Sequence, residues 1–183
     1  MTSVTASSGR WTTQRLVTMA LFAAILCVSA YISIPLPLPG APHITMQNFV
    51  ILLIALLFPS LEGFLIILVW LILGVIGLPV FIGGGSGIGY LMTPYGGYTA
   101  AFPLIGLLLP LLRGKSYDRI RYTAAALAGA VFIDIFGMLW LMAASRLSLG
   151  TAFLTGFIPF IPLDIVKSVI AAQIVPAFRR IMQ

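Results

Sequence analysis

Asp164 and Lys167 place a carboxylate and an ammonium three residues apart inside the long apolar run near the end of the chain. On a helix, positions i and i+3 share a face, with Cβ atoms about 5–6 Å apart, so the two side chains form one polar head. Ionisable groups at membrane depth are costly and ordinarily face a bundle interior or a watery cavity, where they mark a binding or transport path. Two readings follow. One is a ligand site, which the cost of intramembrane charge favours; the other is a self-neutralising ion pair that holds two helices in register. Asp134 is another carboxylate inside an apolar segment. It either faces a pocket or hydrogen-bonds a neighbouring helix, and its sequence context does not choose. An intramembrane enzyme using Asp134 and Asp164 is therefore a rival of another class, since acid–base chemistry between two carboxylates needs them close. Their contexts, Ile133-Asp134 and Leu163-Asp164, lack the Gly-x-Gly-Asp and Tyr-Asp surroundings expected of such an enzyme, so no catalytic residue is assigned.

The elements that carry these groups must lie in a membrane. Hydrophobic residues make up 61% of the 183-residue chain and charged residues 8%, against about 25% charged in soluble domains. The mean hydropathy is +1.14. So little lies outside apolar segments that a separate soluble catalytic domain is excluded, and the chain reads as one domain, 1–183. The net charge of +6 does not point to nucleic acid, because the basic residues flank apolar spans and orient them in the bilayer. Cys27 is the single cysteine and His43 the single histidine. An internal disulfide is impossible, and a zinc site has almost no ligands to draw on, so no metal is expected.

Taken in order, the chain predicts an all-α protein with six transmembrane helices. Residues 1–14 begin Thr/Ser-rich and are expected to be a disordered tail. The first span is Leu16 to Ile34, about the 20 residues a bilayer requires. Its basic start and Val28-Ser29-Ala30 are similar to a signal peptide, but that small-residue site lies inside a continuing apolar helix, so cleavage is not expected. Prolines 35, 37, 39 and 42 then forbid a helix and predict an extended loop up to His43, where the histidine reads as a solvated surface group. Later spans run from about Met46 to Phe58, Gly63 to Gly77, Tyr98 to Leu112, Thr123 to Ala144 and Leu149 to Ile174. Pro159 and Pro162 should kink or break the last of these and free backbone carbonyls near Asp164.

Between the third and fourth spans, Leu78 to Tyr98 carries no charge and is too glycine-rich to stay helical. It is either a permissive hairpin or a loop that folds back over a ligand with its backbone close by. It is neither a Walker loop nor a dinucleotide fingerprint, since no Gly-Lys-Ser/Thr and no strand context accompany it. Of the ten Lys and Arg residues, all but Arg146 and the intramembrane Lys167 fall on one side of a six-span arrangement. Positive residues favour the cytoplasm, so both termini are predicted inside and the proline and glycine loops outside. Ala20, Ala23, Ala24, Cys27 and Ala30 add a stripe of small residues to the first span. Such a stripe serves close packing against a partner or against a span of the same chain.

In sequence, Ile34-Pro35-Leu36-Pro37, Ile44-Thr45-Met46-Gln47-Asn48, Gly74-Val75-Ile76-Gly77-Leu78-Pro79-Val80-Phe81, Pro94-Tyr95-Gly96-Gly97-Tyr98 and Phe160-Ile161-Pro162-Leu163-Asp164-Ile165-Val166-Lys167 resemble the BioY family, the biotin-binding S components of energy-coupling-factor transporters. The resemblance implies a multi-pass protein of the cell membrane that binds biotin and works with a transmembrane coupling protein and two cytoplasmic ATPases. Having no Walker motif, the chain carries no cofactor of its own and leaves ATP to those partners. With biotin as the ligand, Asp164 accepts from a ureido N–H and Lys167 donates either to the ureido carbonyl or to the tail carboxylate. The two residues are neighbours while the ends of biotin lie apart, which favours the head for both and leaves the tail to Ser86 and Gly85 of the glycine loop. Gln47 and Asn48 add amides, and Tyr98 or Tyr90 walls the apolar ring. Ala20 and Ala24 match an Ala-x-x-x-Ala pattern that docks on the coupling protein. An S component for another vitamin is the alternative within the same fold.

Overall fold

Each apolar run becomes helix, and prolines, glycines and small polar caps decide where each helix stops. The computed structural model describes residues 12–34 and 43–182. The proline-rich segment expected to be an extended loop, His43 apart, and most of the expected N-terminal tail lie outside those residues. Helix α1, Thr13–Ser29, starts where the Thr12 hydroxyl accepts from the Arg15 amide. The tail expected up to residue 14 is thus already helical at Thr13. Nor does the helix continue to Ile34: β1, Ser33–Ile34, pairs antiparallel with β2, Ile44–Thr45. Two β-branched isoleucines face each other across that ribbon, where extended backbone suits them.

Helix α2, Gln47–Leu57, and α3, Ser60–Val75, are separated by extended Phe58 and by Pro59, whose fixed φ ends one helix and opens the next. A four-residue helix α4, Ile88–Leu91, precedes α5, Gly96–Arg113. Asp118 caps α6, Arg119–Ser145, by accepting from the Arg121 amide at 2.7 Å. The run from Leu149 onward is two helices, α7 at Leu149–Gly156 and α8 at Ile161–Ile181. The break spans Phe157 to Phe160, and Pro162 sits in the first turn of α8, where its missing N–H costs nothing. The expectation of a broken helix beside Asp164 therefore holds.

Among the described residues three helices are long and apolar enough to cross a membrane: α5, α6 and α8. Helices α1, α2 and α3 are apolar but shorter. Helix α2 is buried on nearly every side, from Val50 to Leu57, so it forms the axis about which the others pack. Burial elsewhere is one-sided. Leu163, Ile165, Val166, Val169 and Ile170 of α8, and Leu16, Val17, Leu21, Ile25 and Val28 of α1, point outward. An apolar exterior on this scale suits lipid rather than water.

Glycines set the helix crossings. A Cβ on Gly63 of α3 would lie 3.0 Å from the Gly106 carbonyl oxygen of α5, so these two backbones nearly touch. At one end of the bundle Arg113 is buried and donates to the carbonyls of Ala55 and Phe58 and to the Tyr122 hydroxyl. Arg179 lies over the same tyrosine ring, 5.3 Å from its centroid. Arg15 pairs with Glu62 at 2.6 Å nearby. The opposite end, where α2, α5 and α8 begin, holds the cavity described next.

The small-residue stripe of α1 does not act as one surface. Ala23 and Ala30 are buried in the bundle, Cys27 is half-buried, and Ala20 and Ala24 are exposed.

Candidate functional site

The glycine-rich segment folds back across the end of the bundle and is tied down by side chains from α2, α3 and the turn that follows α1. Gln47 of α2 and Trp70 of α3 both donate to the Val80 carbonyl, at 3.1 and 3.0 Å. Tyr31 donates to the Pro79 carbonyl. Phe81 then pairs with Gly85 across a tight turn, in which Gly83 and Gly84 take φ +69° and +78°. Those angles are disfavoured for residues with a side chain, which is why this turn needs glycine. The Phe81 ring seats on Gly74, where a Cβ would come within 2.1 Å of it, and stacks against Tyr90 at 4.8 Å between centroids.

Beneath this turn lies a cavity of about 270 Å³, close to the lower end of the range, roughly 300–1,000 Å³, usual for small-molecule sites. Its walls are Tyr90, Tyr95, Tyr98, Phe160 and Ile82, and its polar groups come from His43, Thr45, Asn48, Thr93 and Asp134. Tyr98 is fixed from two sides: its hydroxyl donates to the Gly156 carbonyl at the helix break, and its ring packs into the space left by Gly137 of α6. Trp140 holds the segment before α5 by donating to the Thr93 carbonyl at 3.0 Å. Burial pushes the Tyr90 phenol up to about 12, so it stays neutral and remains a donor at physiological pH.

The residues expected from sequence divide into three groups. Asn48, Tyr90 and Tyr98 line the cavity. Asp164 and Lys167 do form one polar head, with Nζ 2.9 Å from Oδ1, and neither is among the residues that line the cavity. Asn48 connects them to it, donating from Nδ2 to Asp164 Oδ2 at 3.4 Å. The third group is displaced. Gln47 is fully buried and serves as a tie for the loop, and Gly85 packs under the Tyr90 ring. Ser86 is exposed and lies outside the cavity lining. A loop whose turn points its glycines at aromatic rings leaves its serine facing away.

Thr45, Thr93, Tyr95 and Phe160 line the cavity without having been expected there, and so do two residues that the sequence raised but did not assign to the site. His43, read as a solvated loop residue, has a buried Nδ1 with no hydrogen-bond partner among the described residues. Asp134 is 1% exposed, and both its oxygens lack a partner among those residues. The available signal for Asp134 was its position, a carboxylate in the middle of an apolar span.

A helical bundle with a lipid-type exterior and a capped aromatic cavity at one end is the architecture of a membrane-embedded small-molecule-binding protein. Known proteins narrow that class. The family model described as the BioY family matches residues 2–183. The probable biotin transporter BioY of Pyrococcus horikoshii is 40% identical over 156 residues, covering 85% of this chain and 90% of that one. The biotin transporter BioY2 of Lactococcus lactis subsp. cremoris is 35% identical, covering 83% and 82%. The crystal structure of the S-component for biotin from an ECF-type ABC transporter superposes with a TM-score of 0.84 at 27% identity, over 93% of this chain and 95% of that one. This chain belongs to the BioY family.

Proposed function

We propose that the chain is a biotin-capturing S component, the substrate-binding membrane subunit of an uptake system rather than an enzyme. The observation that carries this reading is the capped, tyrosine-walled cavity of about 270 Å³ in a chain of the BioY family. Biotin presents a neutral ureido ring, an apolar thioether ring and a carboxylate on a flexible tail. Aromatic walls suit the fused rings, and a small set of convergent polar groups suits the head.

In this reading Asp164 accepts from a ureido N–H and Lys167 donates to the ureido carbonyl, both charge-assisted bonds. Asn48, already bonded to Asp164, connects the pair to the cavity. The tail reaches toward the glycine turn, whose Gly83 lines the cavity. Six spans with both termini in the cytoplasm follow if the shorter helices α1, α2 and α3 also cross, each helped by tilt or by protein neighbours. The cavity then opens outside the cell membrane, and the end that holds buried Arg113 and half-buried Arg179 faces the cytoplasm. ATP hydrolysis belongs to partner subunits of an energy-coupling module, and exposed Ala20 and Ala24 offer a close-approach face for its transmembrane protein. Ala24 also borders an outward apolar groove of about 360 Å³.

An S component for another vitamin would share the fold and differ in the cavity. A paired-carboxylate enzyme is the poorer reading, because family membership points to transport. Uptake of labelled biotin by cells making this chain with an energy-coupling module, and lacking other biotin carriers, tests the proposal. Uptake should saturate and be blocked by excess unlabelled biotin; no uptake, together with no binding by the purified protein, contradicts it.

A further inference from the structure

Asp134 is the least explained group in the molecule. It sits in the middle of α6, is 1% exposed, and contributes to the cavity wall beside Tyr98 and Phe160. Neither carboxylate oxygen has a hydrogen-bond partner among the described residues. Buried carboxylates are nearly always paired or hydrogen-bonded, because desolvation without compensation is costly. The polar side chain beside Asp134 is that of Asp164 of α8, a carboxylate that can hydrogen-bond to Asp134 only when one of the two carries a proton. The charged neighbours of Asp134 are Asp164 and Lys167 of α8, and there the contrast is informative. Asp164 has both oxygens engaged, by Lys167 and by Asn48, whereas Asp134 lines the cavity and neither of its oxygens has a hydrogen-bond partner among the described residues.

We infer that Asp134 is a ligand-contacting residue that accepts one of the two ureido N–H groups of the substrate, Asp164 and Lys167 reading the rest of the head. The inference rests on the biotin reading above. A cyclic urea offers a donor, an acceptor and a second donor in fixed directions. The cluster of Asp164, Lys167 and Asp134 offers an acceptor, a donor and a second acceptor, drawn from two adjacent helices. A single carboxylate cannot take both N–H groups of a five-membered ring, because the carbonyl lies between them. Reading the complete urea therefore requires a second acceptor, and Asp134 supplies it. A site that hydrogen-bonds both donors rejects heads lacking either one, since the unmatched acceptor is left buried without a partner.

The test uses full-length protein in detergent, titration calorimetry, and three probes: biotin and the two isomers carrying a methyl on one ureido nitrogen. Wild type should bind biotin and should bind each methyl isomer at least about tenfold more weakly, since each methyl removes one bond. Asp134→Ala should weaken biotin by about 10- to 100-fold. It should also make room for one methyl isomer, so that biotin's advantage over that isomer shrinks while its advantage over the other persists. Asp164→Ala should relieve the opposite isomer. Biotin affinity unchanged in a folded Asp134→Ala protein overturns the assignment while leaving the biotin reading standing. If Asp134→Ala does not fold, wild type alone decides: one methyl isomer binding as tightly as biotin means one N–H is unread, and the assignment fails. Wild type that binds no biotin overturns the function and this inference together.

Discussion

Replacing Asp164 by asparagine separates what the Asp164–Lys167 pair does for the fold from what it does for the ligand. Asp164 is 3% exposed and Lys167 Nζ lies 2.9 Å from it, with the lysine side chain 12% exposed. Asparagine keeps the size and one acceptor but removes the charge, and its amide nitrogen would face the amide nitrogen of Asn48 if it took the place of Oδ2. Lys167 is then a buried ammonium without its partner, and breaking such a pair costs about 3–5 kcal/mol. Lys167's slight exposure and the neighbouring Asp134 place the expected loss near the lower figure. At roughly 2–4 °C per kcal/mol for a chain of this size, the melting midpoint should fall by about 6–12 °C. Adding Lys167→Met removes the stranded charge, and because an apolar replacement of a whole pair is often neutral, most of the lost stability should return. Binding should behave differently. Loss of a charge-assisted bond, about 1.5–3 kcal/mol, lowers biotin affinity one to two decades in the single variant, and the double variant should not recover it. Thermal unfolding followed by tryptophan fluorescence and calorimetric titration of the same samples report the two quantities. A single variant that melts with wild type, or a double variant that binds biotin with wild-type affinity, refutes this account of the pair.

Gly137→Ala tests how the cavity wall is held. The new Cβ would meet the Tyr98 ring at 2.1 Å, so the ring must move and its bond to Gly156 should break; overpacking of this kind costs about 1–3 kcal/mol, and biotin affinity should fall with it, whereas unchanged affinity would detach Tyr98 from the site. Ala20→Trp combined with Ala24→Trp should leave biotin binding by the isolated protein near normal while abolishing co-purification with the coupling protein and ATP-driven uptake, because both alanines are exposed; loss of binding would show that this face packs internally. A reporter fused after Gln183 should be active only in the cytoplasm, and activity outside the cell would reverse the proposed orientation.

The helices were legible because each is an apolar run ended by residues with few alternatives. Pro59 separates α2 from α3, and the Phe157–Phe160 break with Pro162 splits the last run next to Asp164 as expected. Where the reading failed, tertiary contacts outweighed local pattern. Residues 33 and 34 continue an apolar run yet pair as strand, because Ile44 and Thr45 offer a ladder that helix continuation would forgo. The same limit applies to the site. Spacing placed Asp164 and Lys167 on one face, and they do meet, but spacing cannot say which side of a wall a face occupies. Gln47 looked like a ligand amide and is used by the Val80 carbonyl. His43 acquires its position from segments distant in sequence, which no local pattern encodes, and for Asp134 the carboxylate inside an apolar span is a signal whose direction only the packing of the other helices decides. The alanine stripe likewise mixes two faces, since a helix position reveals its neighbours only once the other helices are placed.

The central claim, that this cavity holds biotin, is tested most directly by purifying the chain in mild detergent and identifying by mass spectrometry the small molecule that remains bound. Biotin should be recovered at close to one per chain from wild type and be strongly depleted from Asp164→Asn. Recovery of a different vitamin, in a preparation that added biotin does not displace, would contradict the claim.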